Sequence, residues 1–411
     1  MPTDVLVLGA GMVGTCTALQ LARRGHSVAL VDRQAPGRET SYGNAGIIQR
    51  EAVEPYAFPR EWSAFFNAAF KRGPDVNYHL DALPAVVPRL YRYWHESAPG
   101  RYAAIALDYS RLIEHCLTEH DALIFESGAG DLVRKEGFRV GFRTEAAMDA
   151  AVESATDLQR RYGLGLALLD GDAMADAEPG LHARLAGALH WLDPWSVSDP
   201  GALVDRYAQR FIDLGGQVAQ GDAASLRPEA GGWQVQTADG PLQARHAVIA
   251  LGPWAAELTS TLGYRLPLFV KRGYHRHYRG GPGLNLPLLD AERALVIAPM
   301  AAGMRITTGA EFARVGAPAT PVQLGKAETA ARELIELPEP VEAVPWLGNR
   351  PCTVDMKPVM GPAPKHAGLW FNFGHSHQGF TLGPVSGRLL AEMIEGSRPL
   401  VDPAPFAPAR F

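Results

Sequence analysis

The segment that most constrains this chain is Gly9-Ala10-Gly11-Met12-Val13-Gly14, set between the apolar runs Val5-Leu6-Val7-Leu8 and Ser27-Val28-Ala29-Leu30-Val31. An apolar run that stops at glycine, a helix-like stretch to Arg24 and a second apolar run read as strand, tight turn, helix and strand. In such a unit Gly9 permits the turn, Gly11 lets the backbone approach a pyrophosphate, and Gly14 lets the helix lie close on the sheet. Met12 and Val13 open the helix, whose free N–H groups and positive end attract phosphate. The second run ends in Asp32, eighteen positions beyond Gly14. A carboxylate there accepts both hydroxyls of an adenosine ribose and repels a 2′-phosphate. With Arg33 beside it, the unit predicts a bound dinucleotide.

Composition agrees with a folded enzyme and narrows its partners. At ~100–200 residues per domain, 411 residues make two or three domains. With 47% hydrophobic and 20% charged residues, neither disorder nor a fibrous repeat fits. A net charge of −5 gives no general attraction to nucleic acid, so a small ligand is expected. The three cysteines, Cys16, Cys116 and Cys352, form no CxxC pair, which speaks against a disulfide framework or zinc site and for a reducing compartment. Asp4 precedes the first apolar run, no basic segment introduces it, and no run approaches the ~20 apolar residues of a membrane span. Cytoplasm is the expected location.

After the second strand comes Gly37-Arg38-Glu39-Thr40-Ser41-Tyr42-Gly43-Asn44-Ala45-Gly46-Ile47-Ile48, a small, polar loop whose amides suit a second phosphate and a flavin edge. Further along stand His246-Ala247-Val248-Ile249-Ala250-Leu251-Gly252-Pro253-Trp254, Asn349-Arg350-Pro351-Cys352-Thr353-Val354-Asp355, and the stretch from Gly374-His375 through Gly387. In these four ordered motifs the chain resembles the FAD-dependent D-amino-acid oxidase superfamily, and within it the bacterial D-amino-acid dehydrogenases. The resemblance implies α/β architecture: a Rossmann-like FAD-binding domain and an α+β substrate lobe on an antiparallel sheet. It also implies that Thr40, Ser41, Asn44, Ala45, Gly46 and Ile47 line pyrophosphate and flavin. Gly252 and Trp254 would follow a strand beneath the cofactor, with Ala224 near the adenine.

The carboxyl-terminal block reads as strand, glycine loop and helix, with small residues Gly383, Ser386 and Gly387 on the helix. A helix start beside the loop favours negative charge on a reduced flavin. His375, Gln378, Gly379, Phe380 and Thr381 are therefore expected at the cofactor and His377 at the substrate. No Asp or Glu beside the two histidines suggests a metal set, and none is expected. Relatives that link flavin covalently carry Cys just before the position of Arg350, here Leu347-Gly348-Asn349, or His in the loop occupied here by Tyr42-Gly43-Asn44. Noncovalent FAD is expected.

Oxidising an amine by hydride transfer requires the substrate to be fixed, and the planar fork of Arg fixes a carboxylate best. Arg350 lies where amino-acid oxidases of this family carry that arginine. Arg305 falls where several oxidase relatives use a lysine to help dioxygen react, which points to a dehydrogenase passing electrons to a quinone or other carrier. Tyr274 lies on a strand opposite in face to His275 and His277, and either face can meet the substrate. The expected substrate is a D-amino acid, with D-hydroxyproline among the options. The alternatives are a flavin subunit of a multi-protein amine dehydrogenase and a flavin-binding protein without turnover.

The motifs lie at both ends and near residue 250, so the FAD domain is expected from 1–50, 190–255 and 345–411, and the substrate lobe from 51–189 and 256–344. Some helices of 51–189 are open to assignment to the FAD domain. Helices are expected over 108–120 and 145–162, a hairpin strand over 132–142, and strands over 266–278 and 295–308, the last turning at Ala301-Ala302-Gly303. The Pro-rich tail after Pro399 reads as loosely docked. Trp62-Ser63-Ala64-Phe65-Phe66-Asn67-Ala68-Ala69-Phe70, before Lys71 and Arg72, suits either a core helix or peripheral contact with a membrane.

Overall fold

The computed structural model describes residues 3–60 and 76–411, so the aromatic stretch 62–70 lies outside the described residues. Val5, Leu6, Val7 and Leu8 are all fully buried, as befits a strand covered on both faces. Thr3–Leu8 lies parallel between Val28–Asp32 and Gly240–Ile249, with Gln217–Glu229 and Leu369–Phe373 extending the parallel set. Gly232–Thr237 and Val359–Pro362 add antiparallel strands and complete seven. Helix Met12–Arg23 packs against helix Gly379–Glu395. Their backbones meet because Gly383 and Gly387 lack side chains: a Cβ would stand 2.5 Å from the Met12 side chain and 2.8 Å from the Cys16 backbone.

An eleven-stranded sheet forms the second layer. Its central strand, Leu268–Arg279, pairs antiparallel with Gly303–Thr307 and Trp346–Thr353. The expected turn at Ala301-Ala302 separates Leu295–Met300 from Gly303–Thr307. Trp346–Thr353, assigned by sequence to the third cofactor segment, hydrogen-bonds in this second sheet instead. Glu145–Tyr162 is a helix, opened by Thr144 and closed by Gly163 in the left-handed region.

Three local expectations change. The 108–120 helix is two, Pro99–Ile113 and Cys116–Glu126, and the second packs on the carboxyl-terminal helix. The 132–142 strand is broken in two: Gly137, at φ +82°, separates Val133–Arg134, paired with Trp195–Val197, from Phe138–Phe142, paired antiparallel with Gly187–Trp191. The tail is firmly docked, with Phe406 1% exposed and Arg410 2.7 Å from Asp355. No helix among the described residues is long and apolar enough to cross a membrane.

Candidate active site

A cavity of about 380 Å³ opens between the two sheets. Gly9, Gly11, Met12, Val13 and Asp32 form one wall, continued by Thr40, Ser41, Asn44, Ala224, Gly252 and Trp254. Gly9 turns at φ +107°, and a Cβ on Gly14 would stand 1.7 Å from the Gly9 carbonyl oxygen, so the helix starts flush against the turn. That helix has no side-chain cap; the Met12 N–H donates to Ser41 Oγ at 2.9 Å. Asp32 accepts from the Ala10 N–H at 2.6 Å and the Gln34 N–H at 2.9 Å. Beside it, the Arg33 guanidinium lies 4.3 Å above the Trp254 ring.

The start of the second helix reaches the same cavity through Gly379 and Phe380, again without a side-chain cap. His375 is buried there, and burial holds its pKa down at about 3. Its Nε2 and the Oδ1 of Asn372, both on cavity-lining residues, have no hydrogen-bond partner. Two helix starts at one cavity, neither capped by its own N-cap side chain, describe a site for a negatively charged ligand.

The opposite wall belongs to the second sheet. Cross-strand neighbours there are Lys271 with Arg350, Gly273 with Gly348, and His275 with Trp346. His275 stacks on Trp346 at 4.7 Å, while a Cβ on either Gly43 or Gly348 would run into the Trp346 ring. The Arg350 guanidinium leans across Gly273, whose Cβ would stand 2.6 Å from Nη2. It donates to the carbonyls of Gly309 (2.9 Å) and Thr308 (3.2 Å). No carboxylate among the described residues pairs with it, and burial lowers its pKa. His377 lines the cavity next to it, with the Tyr56 ring edge-on at 5.2 Å. Burial, with Arg350 and Lys271 nearby, drives the His377 pKa well down, so the imidazole is neutral.

Residues 4–393 match the family model described as FAD dependent oxidoreductase. The chain belongs to the DAO family of FAD-dependent oxidoreductases. It is 34% identical to a D-amino acid dehydrogenase of Cereibacter sphaeroides, over 99% of this chain and 95% of that one. With a D-amino-acid oxidase of Bradyrhizobium diazoefficiens it shares 29% identity over 99% and 98% of the two chains. Glycine oxidase from Geobacillus kaustophilus has the same fold, with TM-score 0.73 at 23% identity over 99% and 98%. So has L-proline dehydrogenase from P. horikoshii, with TM-score 0.73 at 16% identity over 100% and 98%. FAD is thus the cofactor, and the two helix starts and Asp32 are the groups that could hold it.

For this family member the structure revises several expected roles. Gly14, Ala45, Gly46, Ile47, Gln378 and Thr381 are not among the cavity-lining residues. Gly14 keeps the close-packing role expected of it, and Gly46 is needed for the close approach to the Val197 carbonyl. Ile47 pairs with Ser196, and Ala45 packs on the core. Gln378 donates to the Gln49 side chain, and the Gln49 N–H donates to Thr381 Oγ1. Arg305 does not line the cavity either: it donates to His277 Nε2 at 2.9 Å and to the carbonyls of Tyr42 and Asn44, fastening the cofactor loop. Tyr274 touches the cavity, but its hydroxyl donates to Glu311 at 2.7 Å and accepts from Arg272 at 2.9 Å, which removes it from chemistry. The donor atoms of His275, His277 and Glu342 lie within 4.8 Å of one another, yet Arg305 places a guanidinium on His277, which repels a metal cation.

Sequence reasoning missed Trp346, Lys271, Asn372 and Ser376. Trp346 had a signal: in a strand, positions 346, 348 and 350 share a face, so Arg350 implied both the tryptophan and the glycine that makes room for it.

Proposed function

We propose that this enzyme oxidises the Cα–N bond of a D-amino acid and passes the electrons to a carrier other than dioxygen, such as a quinone. The observation that supports it best is Arg350, an arginine with no acidic partner among the described residues, which lines the cavity that the two helix starts also reach. Its fork would take the substrate carboxylate in two parallel charge-assisted bonds. His377, neutral beside two cations, offers the amine a hydrogen-bond partner without adding charge. Bound FAD supplies the hydride acceptor. The α-carbon loses a hydride and the nitrogen a proton, leaving an imino acid that water hydrolyses to a 2-oxo acid and ammonia. From a secondary amine such as D-hydroxyproline, a cyclic imine results.

The dehydrogenase reading rests on Arg305, which replaces a lysine and is committed to loop carbonyls. Peripheral membrane delivery of electrons rests on the 62–70 stretch. Noncovalent FAD fits the placement of Cys352, whose thiol is buried with its pKa raised. Anaerobic mixing with D-, L- and N-alkyl amino acids should bleach the flavin with D-substrates. Bleaching confined to L-substrates, or absent throughout, overturns the reading. Peroxide formation as fast as dye-coupled turnover overturns its acceptor half.

A further inference from the structure

Lys271 is a cation at the edge of the site that the reaction above does not use. It is the cross-strand neighbour of Arg350, yet the two side chains diverge. Arg350 lies over Gly273 toward the Thr308 and Gly309 carbonyls. Lys271 reaches toward Phe269, with Nζ 4.7 Å from the Tyr93 ring centre, 5.8 Å from that of Phe269 and 3.4 Å from the Tyr93 hydroxyl. It borders a small side cavity that shares Ser376 and His377 with the main one. No acid among the described residues pairs with it; Glu54, on the same side cavity, is bound to Arg161 at 2.7 Å.

An ammonium held among aromatic rings without a counter-ion is costly, and an apolar residue of similar length would fill the space more cheaply. Burial, with a smaller contribution from Arg350, pulls its pKa below the ordinary lysine value. A negative group from a ligand would relieve that cost.

We propose that Lys271 is a second anion subsite, which takes the side-chain carboxylate of an acidic D-amino acid while Arg350 takes the α-carboxylate. This rests on the D-amino-acid reading and extends it to a substrate class. Two diverging cations with one shared border match a ligand with two carboxylates, whereas a monocarboxylate satisfies only one of them. The cation–ring contact of Lys271 with Tyr93, which lines the same side cavity, holds the ammonium at that cavity in the meantime.

The test uses the FAD-loaded enzyme and two ligand pairs, each differing in the second carboxylate. In the wild type, glutarate should perturb the flavin spectrum at a concentration at least tenfold lower than butyrate. In Lys271→Met, which keeps the aliphatic stem, the ratio of kcat/KM for D-glutamate to that for D-glutamine should fall about tenfold, and the glutarate preference should vanish. Lys271→Gln serves as the second variant should the first lose flavin. A ratio that falls by less than threefold, or a wild type that binds butyrate as tightly as glutarate, overturns the proposal. If no D-amino acid bleaches the flavin while Lys271 still selects glutarate, the subsite stands and the oxidation reading falls.

Discussion

On the cradle side the cavity meets backbone: Gly9, Gly11 and the open ends of two helices. On the roof side it meets side chains, with Arg350 and Trp346 from one strand and His377 from a loop. A backbone site is specified by where side chains must be missing, and it fails through sterics. A side-chain site is specified by charge and reach, and it fails through lost contacts while the fold survives. That contrast predicts how each wall breaks.

The cradle should show the largest effect. In Gly14→Val the new Cβ meets the Gly9 carbonyl oxygen at 1.7 Å and the Ala250 Cβ at 3.2 Å, and neither is the end of a flexible side chain that could yield. We expect a protein without flavin or with little soluble yield, read from absorbance at purification. A yellow Gly14→Val protein of normal stability would erase the contrast at its strongest point.

The roof has its own rigid foundation, and it is ionic. Arg272 and Glu311 are 2.9 Å apart, 1% and 0% exposed, and tied together by the Tyr274 hydroxyl. Removing one partner of such a pair leaves a buried charge uncompensated, at a cost of about 3–5 kcal/mol. Glu311→Gln should therefore lower the denaturation midpoint markedly in urea. An unchanged midpoint would show that the roof does not depend on this pair.

Arg350→Ala should keep its flavin and fold, because the side chain is bound only to two carbonyls and no ion pair depends on it. Losing a hydrogen bond to a charged group costs about 1.5–3 kcal/mol, so kcat/KM for a D-amino acid should fall roughly 10- to 100-fold. Arg350→Lys should recover part of this, restoring charge without the fork. Unchanged kcat/KM in Arg350→Ala would move the carboxylate anchor to Lys271.

The same contrast explains what was legible in the sequence. The cradle's rules act over about two dozen residues, so Gly9, Gly11, Asp32 and the helix between them could be placed from spacing alone. Arg350 was found through family position, but its surroundings depend on register across strands some eighty residues apart in the chain, which spacing does not report. Arg305 and Tyr274 show the cost: both are on the right strands, yet their polar groups are claimed by Tyr42, Asn44 and Glu311. Gln378 and Thr381 were displaced from the cavity for a similar reason, their side chains being taken up by Gln49.

The smallest effect lies on the cradle side, at His120, fully buried under the carboxyl-terminal helix. Its Nε2 lies 3.0 Å from the Phe380 carbonyl and its Nδ1 3.1 Å from the Tyr207 hydroxyl. A neutral ring satisfies both, donating to the carbonyl and accepting from the hydroxyl, and burial lowers its pKa to about 4. Between its unfolded value near 6.5 and this folded value, the unfolded chain binds a proton that the folded chain refuses. Stability contributed by the neutral ring is thus lost as pH falls through that window, by up to about 1.4 kcal/mol per pH unit. His375, held near 3, and His275, held near 2, act in the same direction. Glu51 opposes them between 4.5 and about 7, because burial raises its pKa and the folded chain keeps its proton. His377, His277, His190 and His246 are lowered as well, while Glu178 joins Glu51 in being raised, and the balance is a net loss on acidification. Urea midpoints should fall from pH 7 to pH 5, and His120→Gln should make that fall shallower. A midpoint independent of pH, or a His120→Gln slope equal to the wild type, would mean that the ring is charged in place and that the helix start above the cavity is held some other way.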